Sequence, residues 1–246
     1  MILSAARTMI LIQLAASPAW AQTARSITPL PRELEVELAL SALPVHLRAE
    51  ATVYSLNPDA GFEVARRGRN GFHTFVARQD DSLYRGQWPL RTYRNDVLIP
   101  IAFDAEGAET IMPVHFDIAR LHAMGTPPAE LKQTIQARYA EGRYRTPQRA
   151  GVSYMLAPVM RAYLNPDEGD VLVTVSNPHL MFYAPHVANE DIGGLPMSHG
   201  PFVINGGPHG YIITLLAEAE RAAIVRESAT MLDRLCRFNV MFCLGR

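Results

Sequence analysis

Residues 51–78 read "ATVYSLNPDAGFEVARRGRNGFHTFVAR", and their pattern decides the fold class. "ATVYSL", "FEVARR" and "GFHTFVAR" are short runs rich in β-branched and aromatic residues. They are separated by "NPDAG" and "GRNG", whose glycine, proline and asparagine favour tight turns. Strand, turn, strand, turn, strand predicts an antiparallel meander of three strands. Upstream, "ELEVELALSAL" at 33–43 has helix-forming composition and stops at Pro44, whose ring removes a donor and disfavours helix just before it; a helical turn over 46–50 follows.

Downstream, Gln79 to Asp96 is polar and aromatic without period and reads as a loop. "PVHFDIARLHAMG" then opens on Pro113 and closes on Gly125, the asymmetry of a helix, with Phe116, Ile118, Leu121 and Met124 as its apolar side. Thr126 is placed to cap a second helix, "PPAELKQTIQARYAEG", with Glu130 in its first turn and Gly142 at its end. Together they predict a helical hairpin. From Gly151 the chain returns to strand-like runs, "VSYML", "DVLVTV", "HLMFYA", "FVIN" and "YIITLL", and residues 215–236 carry apolar residues at the spacing of one amphipathic helix. The expected fold is α+β: a single domain over residues 22–246, an antiparallel sheet covered by the hairpin and the terminal helices.

Residues 1–21 read as an export signal. Arg7 precedes an apolar stretch from Met9 to Ala16, Pro18 breaks it, and Ala19-Trp20-Ala21 is a small-x-small cleavage site. The apolar run is shorter than the roughly 20 residues a membrane span needs. The expectation is a soluble, periplasmic or secreted protein with no membrane span in the mature chain. Basic residues number 23 against 24 acidic, and this near-neutral balance argues against a nucleic-acid partner. Lys132 is the only lysine, a bias attributed to genome composition. The two cysteines, Cys236 and Cys243, would lie roughly 10 Å apart on a continuous helix, too far for a disulfide, so pairing requires the helix to end near Asn239.

Chemistry is best sought at 178–214, "PHLMFYAPHVANEDIGGLPMSHGPFVINGGPHGYIIT", which holds His179, His186, His199 and His209, half of the eight histidines. Three readings are open. His179, His199 and His209 could gather around a transition metal if strand pairing brings them to one rim of the sheet, since neutral imidazole is a common ligand. His179 or His209 could act as an acid or base, oriented by Asp191 and assisted by the Tyr183 hydroxyl. Or the histidines are loop residues bonded to nearby carbonyls. No H-E-x-x-H, G-x-S-x-G or phosphate-loop spacing occurs, and Ser198 beside His199 is not by itself a catalytic pair. "FDAEG" at 103–107 has too few oxygen ligands for a calcium loop and reads as a plain turn. Because catalysis leaves sharper motifs than these, the favoured reading is a non-catalytic protein that binds a small molecule or a protein partner. The alternative is a metal-dependent or histidine-based enzyme.

At "NGFHTFV", "FDAEG", "VSYML" and "PHLMFYAP…NEDIGG" the sequence resembles a group of uncharacterised exported bacterial proteins. The resemblance implies export and one continuous domain, and it supplies no reaction. Members of that group tend to carry cysteines where this chain has Thr74 and Ala102, which implies a structural disulfide absent here. The tail beyond about Arg221 is less typical of the group.

Overall fold

A computed structural model describes residues 27–79, 96–164, 171–196, 200–204 and 206–245. The leader at 1–21, residues 80–95 of the expected loop and His199 lie outside these residues. The architecture is α+β, an eight-stranded sheet in the order β2-β1-β3-β4-β5-β8-β10-β9 plus a ribbon of β6 and β7. The strands are β1 (Thr52–Asn57), β2 (Gly61–Arg66), β3 (His73–Ala77), β4 (Ile99–Phe103), β5 (Val152–Met155), β6 (Met160–Tyr163), β7 (Leu172–Val175), β8 (His179–Tyr183), β9 (Phe202–Ile204) and β10 (Tyr211–Leu215).

The turn joining β1 to β2 is the expected one. Asn57 accepts from Asp59 N at 3.0 Å through its side chain, and Gly61 takes a positive φ of 92°. The meander is corrected, however. β3 does not continue beyond β2; it crosses to the other side of β1 and pairs with it in parallel, Thr52 opposite His73 and Val53 opposite Thr74. Arg69 N and Asn70 N both bond to Glu50 O, at 2.8 and 3.2 Å, so the "GRNG" segment is held against the chain entering β1 instead of forming a hairpin. β4 and β6 fall on "IPIAF" and "MRAY", which the strand pattern did not single out.

Alternation along the central strands divides the core. Phe75, Ile101, Phe103, Met181, Tyr183, Tyr211 and Ile213 pack together. Val53, Val76 and Leu98 pack with Leu34 and Leu38 of α1 (Arg32–Ser41), Met231 and Leu235 of α8 (Ala229–Phe238), and Phe242. α2 (Val45–Arg48) follows α1 after Pro44. The expected hairpin is α4 (Met112–Ala123) and α5 (Pro128–Ala140), which buries Val114, Ile118, Leu121, Leu131 and Ile135. Met124, assigned to the apolar side, is exposed.

Thr126 does not cap α5. Its N–H bonds to Leu121 O at 3.0 Å while Gly125, at φ 74°, bonds to His122 O at 2.9 Å, which closes α4 through its glycine. Pro127 takes the cap position instead, with no side-chain bond. "FDAEG" is not a plain turn either: Asp104 caps α3 (Ala105–Thr110), accepting from Gly107 N at 2.9 Å.

The single C-terminal helix divides into α7 (Glu218–Glu227) and α8, broken at Ser228, and only α8 buries apolar side chains. α8 ends at Phe238, and Asn239 turns the chain out at φ −150°, bringing Cys243 to a Cα–Cα distance of 4.5 Å from Cys236, with which it forms a disulfide. The two ends of the sheet are treated differently from each other. β2 lies against α4, whereas on β9 the Asn189 side chain, from α6 (Asn189–Ile192), accepts from Val203 N at 2.7 Å and donates to Val203 O at 3.2 Å. Its amide stands where a further strand would pair.

Thr74 and Ala102 face each other directly in the β3–β4 register, both fully buried. Cross-strand partners have Cα separations within disulfide reach. The double variant Thr74→Cys/Ala102→Cys is expected to oxidise to a bridge, seen as no free thiol and a cross-linked peptide under non-reducing digestion. Loop closure should outweigh the lost Thr74 hydroxyl bonds to Ala39 O and Ile101 O. The net gain in urea unfolding should be about 1–3 kcal/mol.

Candidate functional site

Strand register decides whether the histidines converge. β8 and β10 run antiparallel with His179 opposite Leu215 and Tyr183 opposite Tyr211. His179 therefore stands at one end of the pair, and His209, two residues before Tyr211, stands at the other. Four strand steps, about 13 Å, separate those ends. The expected shared site of His179 and His209 is corrected on this ground: antiparallel pairing puts the start of one strand beside the finish of the next. Among the described residues, no three His, Cys, Asp or Glu side chains are placed to hold a metal ion.

The rings of His179 and His209 also have local partners. His179 is buried, and its Nδ1 lies 2.7 Å from Asn177 O, to which it donates. His209 is buried, with Nε2 2.9 Å from Arg145 O and Nδ1 3.1 Å from the Tyr139 hydroxyl. A carbonyl only accepts, so Nε2 carries the proton and Nδ1 accepts from Tyr139. His186 is exposed at φ 59°, and its backbone N–H bonds to Gly207 O. Asp191, expected to orient a histidine, instead accepts from Ala188 N at 2.8 Å at the start of α6 and is exposed.

Tyr183 is at the centre of a buried network, so its hydroxyl is not an outward donor. It donates to Asp104 Oδ1 at 2.9 Å, lies 3.1 Å from Val152 O, and accepts from the Ser153 hydroxyl at 3.3 Å. Asp104 Oδ2 in turn accepts from Val152 N at 2.9 Å. Burial, reinforced by the Asp104 carboxylate, pushes the Tyr183 hydroxyl far above the usual phenol range. Two glycines make the room: a Cβ on Gly107 would overlap the Tyr183 hydroxyl, and one on Gly151 would overlap Asp104 Oδ2. Sequence reasoning missed Asp104, Gly107, Gly151 and Ser153; the one local signal was an aspartate three residues before Gly107, in the position of a helix cap.

A second network lies under the hairpin. Asp117 accepts from the Tyr144 hydroxyl at 2.8 Å and pairs with Arg138 at 2.6 Å and Arg120 at 3.1 Å. Tyr144 packs edge-on against Tyr139, and Tyr139 against His209. His115, on α4, lies between Phe75 and Phe103, with ring centroids 5.6 and 5.9 Å away. Burial, and then the nearby His209, lower its pKa to about 4. These contacts fasten helices to the sheet.

Comparison with protein-family models, curated proteins and solved structures finds no match. No helix among the described residues is long and apolar enough to cross a membrane.

Two outcomes are expected. Tyr183→Phe removes the hydroxyl that links Asp104 to Ser153 and should cost about 1–3 kcal/mol in urea unfolding. Burial also lowers the pKa of His73, His122, His179 and His209 below the ordinary value of 6.5. The folded chain therefore holds these rings neutral while the unfolded chain protonates them below about pH 6.5. Their contribution is complete above that pH and falls away as the pH drops below it. Thermal scans at stepped pH should show the loss, and His115→Gln should flatten it.

Proposed function

We propose that this chain is an exported, non-catalytic binding protein that engages a small molecule or a protein partner through the outward face of β5, β8 and β10. The observation that carries this reading is Phe182, an aromatic side chain 43% exposed in the middle of a strand whose neighbours Met181 and Tyr183 are core. In register Phe182 stands between Val152 and Ile212, and Ile212 stands beside Val203, so the row is apolar across four strands. An exposed aromatic flanked by aliphatics is the composition of a binding anchor. The leader at 1–21 supports export. The catalytic alternative has less support, because His179, His209, Tyr183 and Asp191 are each committed to holding the fold.

A photo-crosslinking residue at position 182, expressed with the native leader, should give a discrete adduct in the exported fraction, while the same residue at exposed Val45 should not. Phe182→Asp should abolish competition for that adduct with a melting temperature unchanged within about 2 °C, as for a surface substitution. Equal labelling at both positions would remove Phe182 as the anchor. A chelator-sensitive hydrolytic activity lost in His179→Ala would favour the enzyme instead.

A further inference from the structure

At the end of β8 away from Phe182, three independent features meet. The first is an open strand edge. Among the described residues β7 pairs only with β6; its central residue Thr174 stands opposite Arg161, and its side chain, not its backbone, donates to Met241 O. The backbone N–H and C=O of Arg161 are bonded to Leu98, at 2.9 and 3.0 Å, so Arg161 and Thr174 form a pair without mutual backbone bonds. The N–H and C=O of Thr174 consequently point away from β6, along the free edge. The run Val171–Ser176 carries none of the charges or prolines that usually blunt such an edge, and Val171 and Val175 are 62% and 37% exposed.

The second is a groove of about 440 Å³ that begins where β7 stops, lined by Ser176, Glu218, Arg221, Ala222, Val225 and Arg226. The third is its unmet hydrogen-bonding capacity. Ser176 Oγ and Arg221 Nε are shielded from solvent with no partner, and among the described residues neither Arg221 nor Arg226 forms an ion pair. Shielded polar groups without partners are costly, and guanidinium groups match carboxylates with paired donors.

We propose that this edge and groove form a receptor for an extended, acidic peptide segment, which adds as a strand beside β7 and places a carboxylate on Arg221 and Arg226. Strand addition supplies the backbone bonds that Thr174 lacks, and the two arginines supply sequence preference. Exposed Val171 and Val175 favour a segment with alternating aliphatic side chains. The carboxylate is an Asp or Glu side chain near the peptide's start if the added strand runs antiparallel to β7. It is a C-terminal carboxylate if the strand runs parallel, because only then does the peptide finish at Ser176. This site is distinct from the Phe182 face and stands whether or not that face binds anything.

Fluorescence anisotropy with labelled hexapeptides tests it. The probes are Asp-Thr-Val-Thr-Val-Thr with an amidated end, Thr-Val-Thr-Val-Thr-Val with a free carboxylate, the same peptides with Asn or an amide in place of the acid, and versions with proline at alternate positions. One acidic probe should bind at least about tenfold more tightly than its neutral counterpart, and which one identifies the strand direction. Arg221→Gln/Arg226→Gln should remove that preference with melting unchanged, since the arginines have no ion pairs to lose. The proline versions should not bind. Equal binding of neutral or proline peptides, no binding up to millimolar peptide, or dimerisation through β7 in sedimentation would overturn the proposal. So would amide chemical shifts at Ser176 and Arg221 that respond fully to inorganic phosphate and not to peptide.

Discussion

One carboxylate, that of Asp104, holds together segments far apart in sequence. It caps α3 through Gly107 N, fixes the first residue of β5 through Val152 N, and receives the Tyr183 hydroxyl from the last residue of β8. A carboxylate has about four lone-pair sites, so a single side chain can satisfy all three donors. The arrangement constrains everything around it. The helix must begin where β4 ends, β5 must enter the sheet at that level, and residues 107 and 151 must lack side chains. Because Tyr183 lies on the same strand as Phe182, the bond also fixes which face of β8 looks inward and leaves Phe182 outside.

A second polar constraint works at the opposite layer. Glu35 of α1 and Arg78 at the end of β3 are both 1% exposed, 3.6 Å apart, and Glu35 also accepts from Leu56 N at 3.2 Å. Burial raises the Glu35 pKa, with Arg78 and the Leu56 bond opposing it. Pairs of this kind add little net stability over a well-packed apolar pair, but removing one partner strands the other charge. Glu35 thus fixes how α1 lies across β1 and β3, where the apolar contacts of Leu34 and Leu38 alone would tolerate sliding.

Locally encoded features were legible in the sequence. Pro113, Gly125 and Gly142 delimit α4 and α5 because proline and glycine act within a few residues of themselves. The condition set on the cysteines, a helix ending near Asn239, is the one the chain meets. Features that depend on remote partners were not legible. Nothing in "GRNG" distinguishes a hairpin from a crossover; that is decided by Glu50 O, which takes both amides. The apolar spacing at 215–236 continues through Ser228 although the backbone does not, and Pro100 masked a central strand in "IPIAF". His179 and His209 stand at opposite ends of a strand pair for the same reason. Closeness in sequence says nothing about which end of a strand pair a residue will occupy, and Asp104 gave no sign that its partners lay 48 and 79 residues away.

The side chain of Asn189 closes one border of the sheet in a particular way. An amide has the same donor and acceptor pair as a peptide unit, so Val203 meets a substitute for a neighbouring chain that is one residue long and cannot be extended. Fibril-like stacking or exchange of strands between molecules at this border must first extract that amide and melt the short helix that carries it. The border is therefore guarded by an equilibrium that local unfolding of the four-residue α6 controls.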